Sequence, residues 1–224
     1  MLIHKHKNKK FFIKAVSASF GALLVCAVAF VLLEPAVTNA VADSATVTAT
    51  VSEEVTISSP SDANFSASIP GVTGNPGAPV TASLTWTVKT NNDTGFNLKV
   101  KASQANALYK DGTYYFTDHT TTPSYGWTAA TSTAAIFGFT IDAATAADVV
   151  AAFHDTGSAC GSGANDGGCW SGFNSTTDID VINRTSETTA SGEAEVINFQ
   201  AESNGKLLED GSYVATITAT AALN

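Results

Sequence analysis

Two neighbouring segments of the chain alternate strictly between apolar and polar residues. In Val80–Thr90 the even-numbered positions up to Val88 are apolar, and the odd positions hold Thr, Ser or Lys. Phe96–Ala102 alternates in the same way, with Asn and Lys between its apolar residues. A period of two places apolar side chains on one face of a β-strand. Because the intervening Asn91–Gly95 is a turn sequence, the pattern predicts a β-hairpin.

The same period recurs along much of the chain after residue 44. One apolar row runs from Val47 to Ile57, and another runs from Tyr213 to Ala221 with Thr residues opposite it. Asp210-Gly211 predicts a hairpin turn that joins Lys206–Leu208 to this last strand. Shorter runs predict further strands near Thr113–Phe116, Ile136–Ile141, Ile179–Ile182 and Glu195–Ala201.

One segment breaks the alternation. Asp142–Phe153 is rich in alanine and has Asp142 at a position suited to an N-cap, so the pattern predicts one short helix at the edge of the sheets. Many short strands separated by polar turns are typical of an all-β fold. We therefore expect a single antiparallel β-sandwich domain over residues 43–224, of immunoglobulin-like or jelly-roll type.

The first 42 residues read as a targeting segment. Five lysines between Lys5 and Lys14 precede the uncharged stretch Ala15–Leu33, and Ala40-Val41-Ala42 fits a signal-peptidase site. The segment is either a cleaved signal peptide or an uncleaved anchor helix that crosses the membrane through residues 15–33. Lysines ahead of an apolar segment stay in the cytoplasm, so both alternatives place residues 43–224 outside the cell. We expect a secreted or surface protein of a bacterial envelope.

Charge excludes one class of partner. Residues 43–224 hold six basic and nineteen acidic side chains, and the whole chain has a formal net charge of −9. A body this acidic repels phosphate backbones and anionic lipid. We therefore expect no nucleic-acid partner, and no membrane contact other than through residues 15–33.

Two cysteines, Cys160 and Cys169, enclose a glycine-rich loop, and we expect them to form a disulfide in an oxidising compartment. Metal binding is the alternative, although the C-x-x-C spacing of zinc sites is absent. A nucleophile pair of Cys160 with His154 would need a free thiolate. The chain contains no GxSxG, HExxH or P-loop motif. We therefore expect a protein that is not an enzyme, with no catalytic residues.

Three aspartates are candidate ligands for Ca²⁺. Asp178 and Asp180 flank Ile179 and so share one face of a strand, while Asp166 lies in the cysteine loop. Carboxylate oxygens suit Ca²⁺ in an exported protein. The spacing of an EF-hand is absent, however, and solvated loop acids explain the same residues, so the pattern does not require a cofactor.

Aromatic residues near the loops are candidates for a ligand-facing surface. Tyr125, Trp127 and Trp170 are the ones we single out, because exposed aromatic rings stack on the rings of sugars. The alternative is that they anchor loops to the core, since Tyr and Trp combine an apolar body with one polar atom.

Three segments carry a resemblance to known proteins. They are Leu84-Thr-Trp-Thr-Val88, Asn91–Leu98 and the Asp210-Gly-Ser-Tyr strand that runs to Thr220. After an export signal, this order resembles small uncharacterised exported bacterial surface proteins with a β-sandwich body. It is also distantly similar to WxL-type cell-wall-binding domains, which likewise end in a Gly-x-Tyr strand. Trp86-Thr-Val88 is the near match to Trp-x-Leu, and Ile217-Thr-Ala219 stands where a second copy would be. The resemblance implies binding to the cell wall.

These observations favour an exported, non-enzymatic protein with a structural or adhesive role at the cell surface, which includes the ability to self-assemble. One alternative is a module that binds carbohydrate or cell wall, with surface glycans as its partner. Another is a filament subunit whose residues 45–58 add a strand to a neighbouring copy. The same residues also fit the first strand of their own sandwich, which the pattern favours.

Overall fold

A computed structural model of the chain describes residues 41–173 and 177–224. The chain divides into two units, residues 1–50 and 51–224. In the first unit, residues 41–50 are exposed and lack regular secondary structure. The predicted signal or anchor segment, residues 1–42, lies outside the described residues except for its last two. Within the described ranges, no helix is long and apolar enough to cross a membrane.

The second unit is built mostly from β-strands, which confirms the all-β prediction. Its only described helices are two single-turn 3₁₀ helices, Ala146–Asp148 and Ala151–Phe153. The strands are β1 (Val55–Ile57), β2 (Val80–Thr90), β3 (Phe96–Ala102), β4 (Thr117–Asp118), β5 (Ser124–Tyr125), β6 (Ala134–Ala143), β7 (Cys169–Trp170), β8 (Ile179–Arg184), β9 (Glu193–Asn204) and β10 (Ile217–Leu223).

The strands form two main sheets that pack against each other. The first sheet has the order β1-β2-β9-β6-β4, and the second has the order β10-β3-β8. All pairs in these sheets are antiparallel except β4 with β6, which is parallel. A separate two-stranded sheet joins β5 to β7. Three of the strands predicted from short runs are confirmed, since they lie within β6, β8 and β9.

Stacked phenylalanine rings fill the core on one face of the first sheet. Phe139 lies directly opposite Phe199 on the neighbouring strand, and Phe137 stacks on Phe199 with ring centres 5.9 Å apart. Phe173 stacks on Phe139 at 4.4 Å. These rings are 5% exposed or less. Their burial is the main source of stability here, because aromatic side chains remove large apolar areas from water.

The hairpin predicted from β2 and β3 is wrong, because the two strands lie in different sheets. β2 pairs with β1 and β9, whereas β3 pairs with β8 and β10. The connection is held by Asn92, which is 1% exposed and donates a hydrogen bond from Nδ2 to Gly95 O (3.2 Å). Gly95 has φ of 85°, and a Cβ there would clash with the carbonyl oxygen of Arg184. The turn therefore carries the chain across to β8 instead of back along β2.

The predicted helix over Asp142–Phe153 is also corrected. Asp142 and Ala143 extend β6 by pairing with Val196 and Glu195 of β9. Farther along, Val150 N donates to the carbonyl of Val181 on β8. Backbone N–H and C=O groups that an α-helix would pair internally are thus hydrogen-bonded to two different strands. Only the two 3₁₀ helices form in this segment.

Three further strand predictions differ from the structure. Over Thr113–Phe116 a single isolated bridge forms, between Tyr115 and Tyr109. Lys206–Leu208 forms no strand, because the last strand, β10, pairs with β3 and no hairpin closes there. The early strand shrinks from Val47–Ile57 to the three residues of β1. In each case the local sequence could not identify a partner strand.

Candidate functional site

The loop around the disulfide is held by a buried carboxylate. Cys160 and Cys169 form the predicted disulfide, with their Cα atoms 5.9 Å apart. Beside the loop, Asp155 is 3% exposed. Its carboxylate oxygens accept hydrogen bonds from Gly157 N (2.8 Å) and Gly168 N (3.2 Å). The disulfide and this carboxylate together fix the segment that leads into β7.

Three aromatic rings pack together next to this loop, and we call His119, Trp127 and Trp170 the aromatic cluster. The ring centres of His119 and Trp127 are stacked at 5.4 Å, and Trp170 meets Trp127 edge-on at 5.3 Å. Trp127 Nε1 donates a hydrogen bond of 2.7 Å to Glu202 Oε2. Glu202 is fully buried on β9, so this bond ties the cluster to the centre of the first sheet.

Glycine at position 138 of β6 allows the cluster to lie close to the sheet. A Cβ at this position would stand 2.9 Å from His119 Cβ and 3.2 Å from Trp127 Cζ3. Burial lowers the pKa of His119, and a hydrogen bond with the Thr120 backbone opposes that shift. The imidazole is therefore uncharged at neutral pH, which suits a ring stacked on an indole.

The structure brings the predicted aromatic residues together but does not align them as one flat surface. Tyr125 pairs with Cys169 across β5 and β7 and is 45% exposed. Trp127 is half-buried, Trp170 is 8% exposed, and the planes of the two indoles meet at 82°. Stacking on a sugar would need accessible faces that are nearly coplanar. Trp170 therefore packs as a buried member of the cluster, and Tyr125 is the most exposed of the three predicted residues.

Sequence reasoning missed His119 and Glu202 as members of this site. Trp127 and Glu202 are 75 positions apart in the chain, and His119 reaches the cluster because β4 pairs in parallel with β6. Glu202 directly follows the predicted strand Glu195–Ala201, so the alternation carried no signal that it is buried. A buried carboxyl group requires hydrogen-bond partners, and Glu202 has them in Trp127 Nε1 and Gly77 N.

The three candidate calcium ligands lie in separate settings. Asp180 forms an ion pair with Lys99 at 3.2 Å, and Asp178 forms one with Lys101 at 3.5 Å. Asp166 Oδ2 accepts a hydrogen bond from the backbone N–H of β6 at position 143 (2.8 Å). Burial raises the pKa of Asp166. Over the part of the chain that the structure describes, no three His, Cys, Asp or Glu side chains form a group suited to a metal ion.

A buried carboxyl group lies at one end of the core. Glu195 on β9 is 2% exposed, and its Oε2 has no hydrogen-bond partner among the described residues. Burial, and then the negative charges of Asp148 and Glu193, raise the pKa of Glu195 to about 7, while Arg184 acts against the shift. Arg184 Nη1 lies 2.7 Å from Asp148 Oδ2 and 3.6 Å from Glu193 Oε1. The guanidinium of Arg184 therefore forms ion pairs with two other carboxylates, Asp148 and Glu193.

The segment ahead of β1 exposes apolar side chains, and we call residues 45–51 the arm. Val47 is 94% exposed and Val51 is 83% exposed, and the arm has no regular secondary structure. Just after it, Glu54 N donates to Asn91 Oδ1 (2.7 Å) and Asn91 Nδ2 donates to Ser52 O (2.9 Å). The alternating apolar row of the arm therefore stands in solvent, directly before an edge strand.

Comparison with protein-family models, curated proteins and solved structures finds no significant match to this chain.

Proposed function

We propose that the protein is an exported, non-enzymatic structural component of the bacterial cell surface that assembles with copies of itself through the arm. The observation that carries this proposal is the exposure of Val47 and Val51 in an alternating segment. Isolated exposed apolar side chains are common on proteins. A row with strand periodicity is different, because all of its apolar groups can be buried at once when the segment joins a sheet.

Electrostatics supports the arm as the contact. With six basic and nineteen acidic side chains in residues 43–224, two copies repel each other over most of their surface. The arm, with the sequence Ala-Thr-Val-Thr-Ala-Thr-Val, carries no charge. A contact made through an uncharged strand avoids placing like charges together. Export rests on the lysine-rich start and the apolar stretch Ala15–Leu33.

The test is the molar mass of the protein in solution, measured by size-exclusion chromatography with light scattering and accompanied by negative-stain images. We expect oligomers or filaments. Val47→Asp together with Val51→Asp should give monomers, because it places charge on the apolar face of the arm. The matched control, Thr48→Asp with Thr50→Asp, adds the same charge to the opposite face and should retain more of the assembly. A wild-type protein that is monomeric at all concentrations would overturn the proposal.

A second candidate function is binding of a cell-wall or surface glycan, and the exposure of Tyr125 beside Trp127 favours it. The ring of Tyr125 is accessible to a ligand, and the neighbouring Trp127 is held in place by its packing in the aromatic cluster. Pull-down with purified cell wall would test it, with Tyr125→Ala as the variant. The control is Tyr109→Ala, a tyrosine that precedes β4 in the sequence, whereas Tyr125 follows it. Binding that is equal in both variants, or absent from the wild type, would remove this candidate.

A further inference from the structure

We propose that the free edge of β10 is the surface that accepts the arm of a second copy, as an added antiparallel strand. This inference rests on the proposed function and names its acceptor. It follows from how each sheet edge in the described residues is protected, from the chemistry of β10, and from the match in length and pattern between β10 and the arm.

Sheet edges are sites of unwanted pairing, and proteins usually shorten or cover them. In the first sheet both outer strands are short, since β1 has three residues and β4 has two. Beyond β1, the exposed side of β2 is capped at two points. Ser58 exchanges hydrogen bonds with Thr87, and Ser66 does so with Thr81. In the second sheet, the outer side of β8 is covered, because Val150 N donates to a β8 carbonyl.

The remaining edge strand, β10, has β1 nearby but has no hydrogen-bonded strand on its outer side among the described residues. Its seven residues pair with β3 on one side, and within residues 41–173 and 177–224 no strand pairs with its other side. Thr216 O accepts from Ser103 N, and Asn224 N donates toward Gly95 O. The backbone N–H and C=O groups of the even-numbered residues of β10 therefore point toward β3, and those of the odd-numbered residues point outward. β10 contains no proline and no charged residue, so it lacks the usual residues that block strand addition.

The core is also incomplete on this side of the molecule. On β3, in the middle of the second sheet, Leu98 and Val100 are almost fully buried. On β10, by contrast, Ile217, Ala219 and Ala221 are partly exposed although they pack against the same core. An added strand with apolar residues on its inner face would cover this row.

The arm fits this edge in length and in pattern. It has seven residues, as β10 has, and both place apolar residues at odd-numbered positions and mainly threonine at even ones. An antiparallel register that centres Thr48 on Thr220 aligns the two apolar rows. It sets Val47 opposite Ala221 and Val51 opposite Ile217, and the outward backbone groups of β10 meet those of the arm. Since neither segment is charged, the pairing brings no acidic side chains of the two copies together.

Proline substitution at the edge tests the assignment directly. Ala221→Pro removes an outward N–H and leaves the pairing with β3 intact, a position at which edge strands tolerate proline. Thr85→Pro is the matched control, because it removes an outward N–H from the partly open edge of β2. In the full-length protein we expect Ala221→Pro to abolish the oligomers seen by light scattering, and Thr85→Pro to retain them. Far-UV circular dichroism and the melting temperature verify that each variant is folded.

A cross-link provides a measurement that does not depend on the proline variant folding. In a Cys26→Ser background, chains with Thr48→Cys are mixed with chains that carry Thr220→Cys. The proposed register puts these positions in a non-hydrogen-bonded pair, where Cα atoms lie about 4.5 Å apart, within the range a disulfide spans. We expect a covalent dimer under mild oxidation. Thr48→Cys mixed with Thr85→Cys is the control and should give none.

The outcomes separate the two proposals. If the wild type is monomeric, the proposed function fails and the acceptor site fails with it. If the wild type forms oligomers that Val47→Asp with Val51→Asp dissociates, but Ala221→Pro retains them and Thr48→Cys links to Thr85→Cys, the arm is the donor and only the assignment of β10 is overturned. Loss of oligomers in Ala221→Pro, together with a cross-link between Thr48→Cys and Thr220→Cys chains, supports both.

Discussion

The buried carboxyl of Glu195 should make the stability of the protein fall as the pH rises from acid to neutral. In the folded state its pKa is raised from 4.5 to about 7 by burial and by the charges of Asp148 and Glu193. A folded state that binds a proton more tightly than the unfolded chain gains stability from protonation. That contribution is fully present below about pH 4.5, and it is lost as the pH rises through about 7.

The size of the effect follows from the shift. A rise from 4.5 to about 7 is about 2.5 pH units, and about 1.4 kcal/mol per unit gives about 3 kcal/mol in the free energy of unfolding. Glu195→Gln has nearly the same shape but does not titrate. We therefore expect the free energy of unfolding of the wild type, taken relative to Glu195→Gln, to drop by about 3 kcal/mol between about pH 4.5 and about pH 8.

The assay is urea unfolding followed by circular dichroism at several pH values, applied to the wild type and Glu195→Gln. Subtracting the two curves cancels the titration of the other acidic residues, which are the same in both proteins. Glu53→Gln, at an exposed position, serves as the control and should follow the wild type at every pH. A constant difference between wild type and Glu195→Gln across this pH range would refute the reasoning, because it would mean that this carboxyl group has an ordinary pKa when folded.

Three other substitutions test the packing that positions the sites. Gly95→Ala should cost about 3 kcal/mol of stability, since the new Cβ meets Arg184 O at a positive φ; an unchanged urea midpoint would contradict the inter-sheet turn. Trp127→Phe removes the donor to Glu202 and should cost about 2 kcal/mol, measured by the same unfolding, because a buried carboxylate oxygen loses its partner. Cys160→Ser opens a disulfide of sequence separation 9 and should cost about 2.5 kcal/mol by loop entropy; reduction of the wild type with dithiothreitol should lower its melting temperature to that of the variant.

The candidate aromatic site shows which features of a surface the sequence can predict. Tyr125, Trp127 and Trp170 were recognisable as aromatic residues near loops, and the structure does place them together. Their exposure was not predictable, because it depends on the turn geometry of the disulfide loop and on Gly138, which admits the cluster close to the sheet. The buried partner Glu202 was invisible for the same reason, as it comes from a strand far along the chain.

The alternation of the chain by itself determined that this is a β protein, and in β2 and β3 it determined which side chains face the core. That information is local, because successive residues of any strand point to opposite faces. The pattern also identified the apolar row of the arm, although not that Val47 and Val51 are exposed. Local preference likewise identified the disulfide, since a short glycine-rich loop brings its two cysteines within reach of each other.

Only the tertiary structure decided which strands are neighbours. β2 and β3 follow each other along the chain and alternate in the same way, yet the Asn92 turn sends them to different sheets. Any two strands with the same period can form backbone hydrogen bonds with each other, so alternation does not distinguish one partner strand from another. The choice is made by the packing of side chains that are distant in sequence, such as Phe139 against Phe199. The same choice leaves β10 at an open edge, which no reading of its seven residues in isolation could reveal.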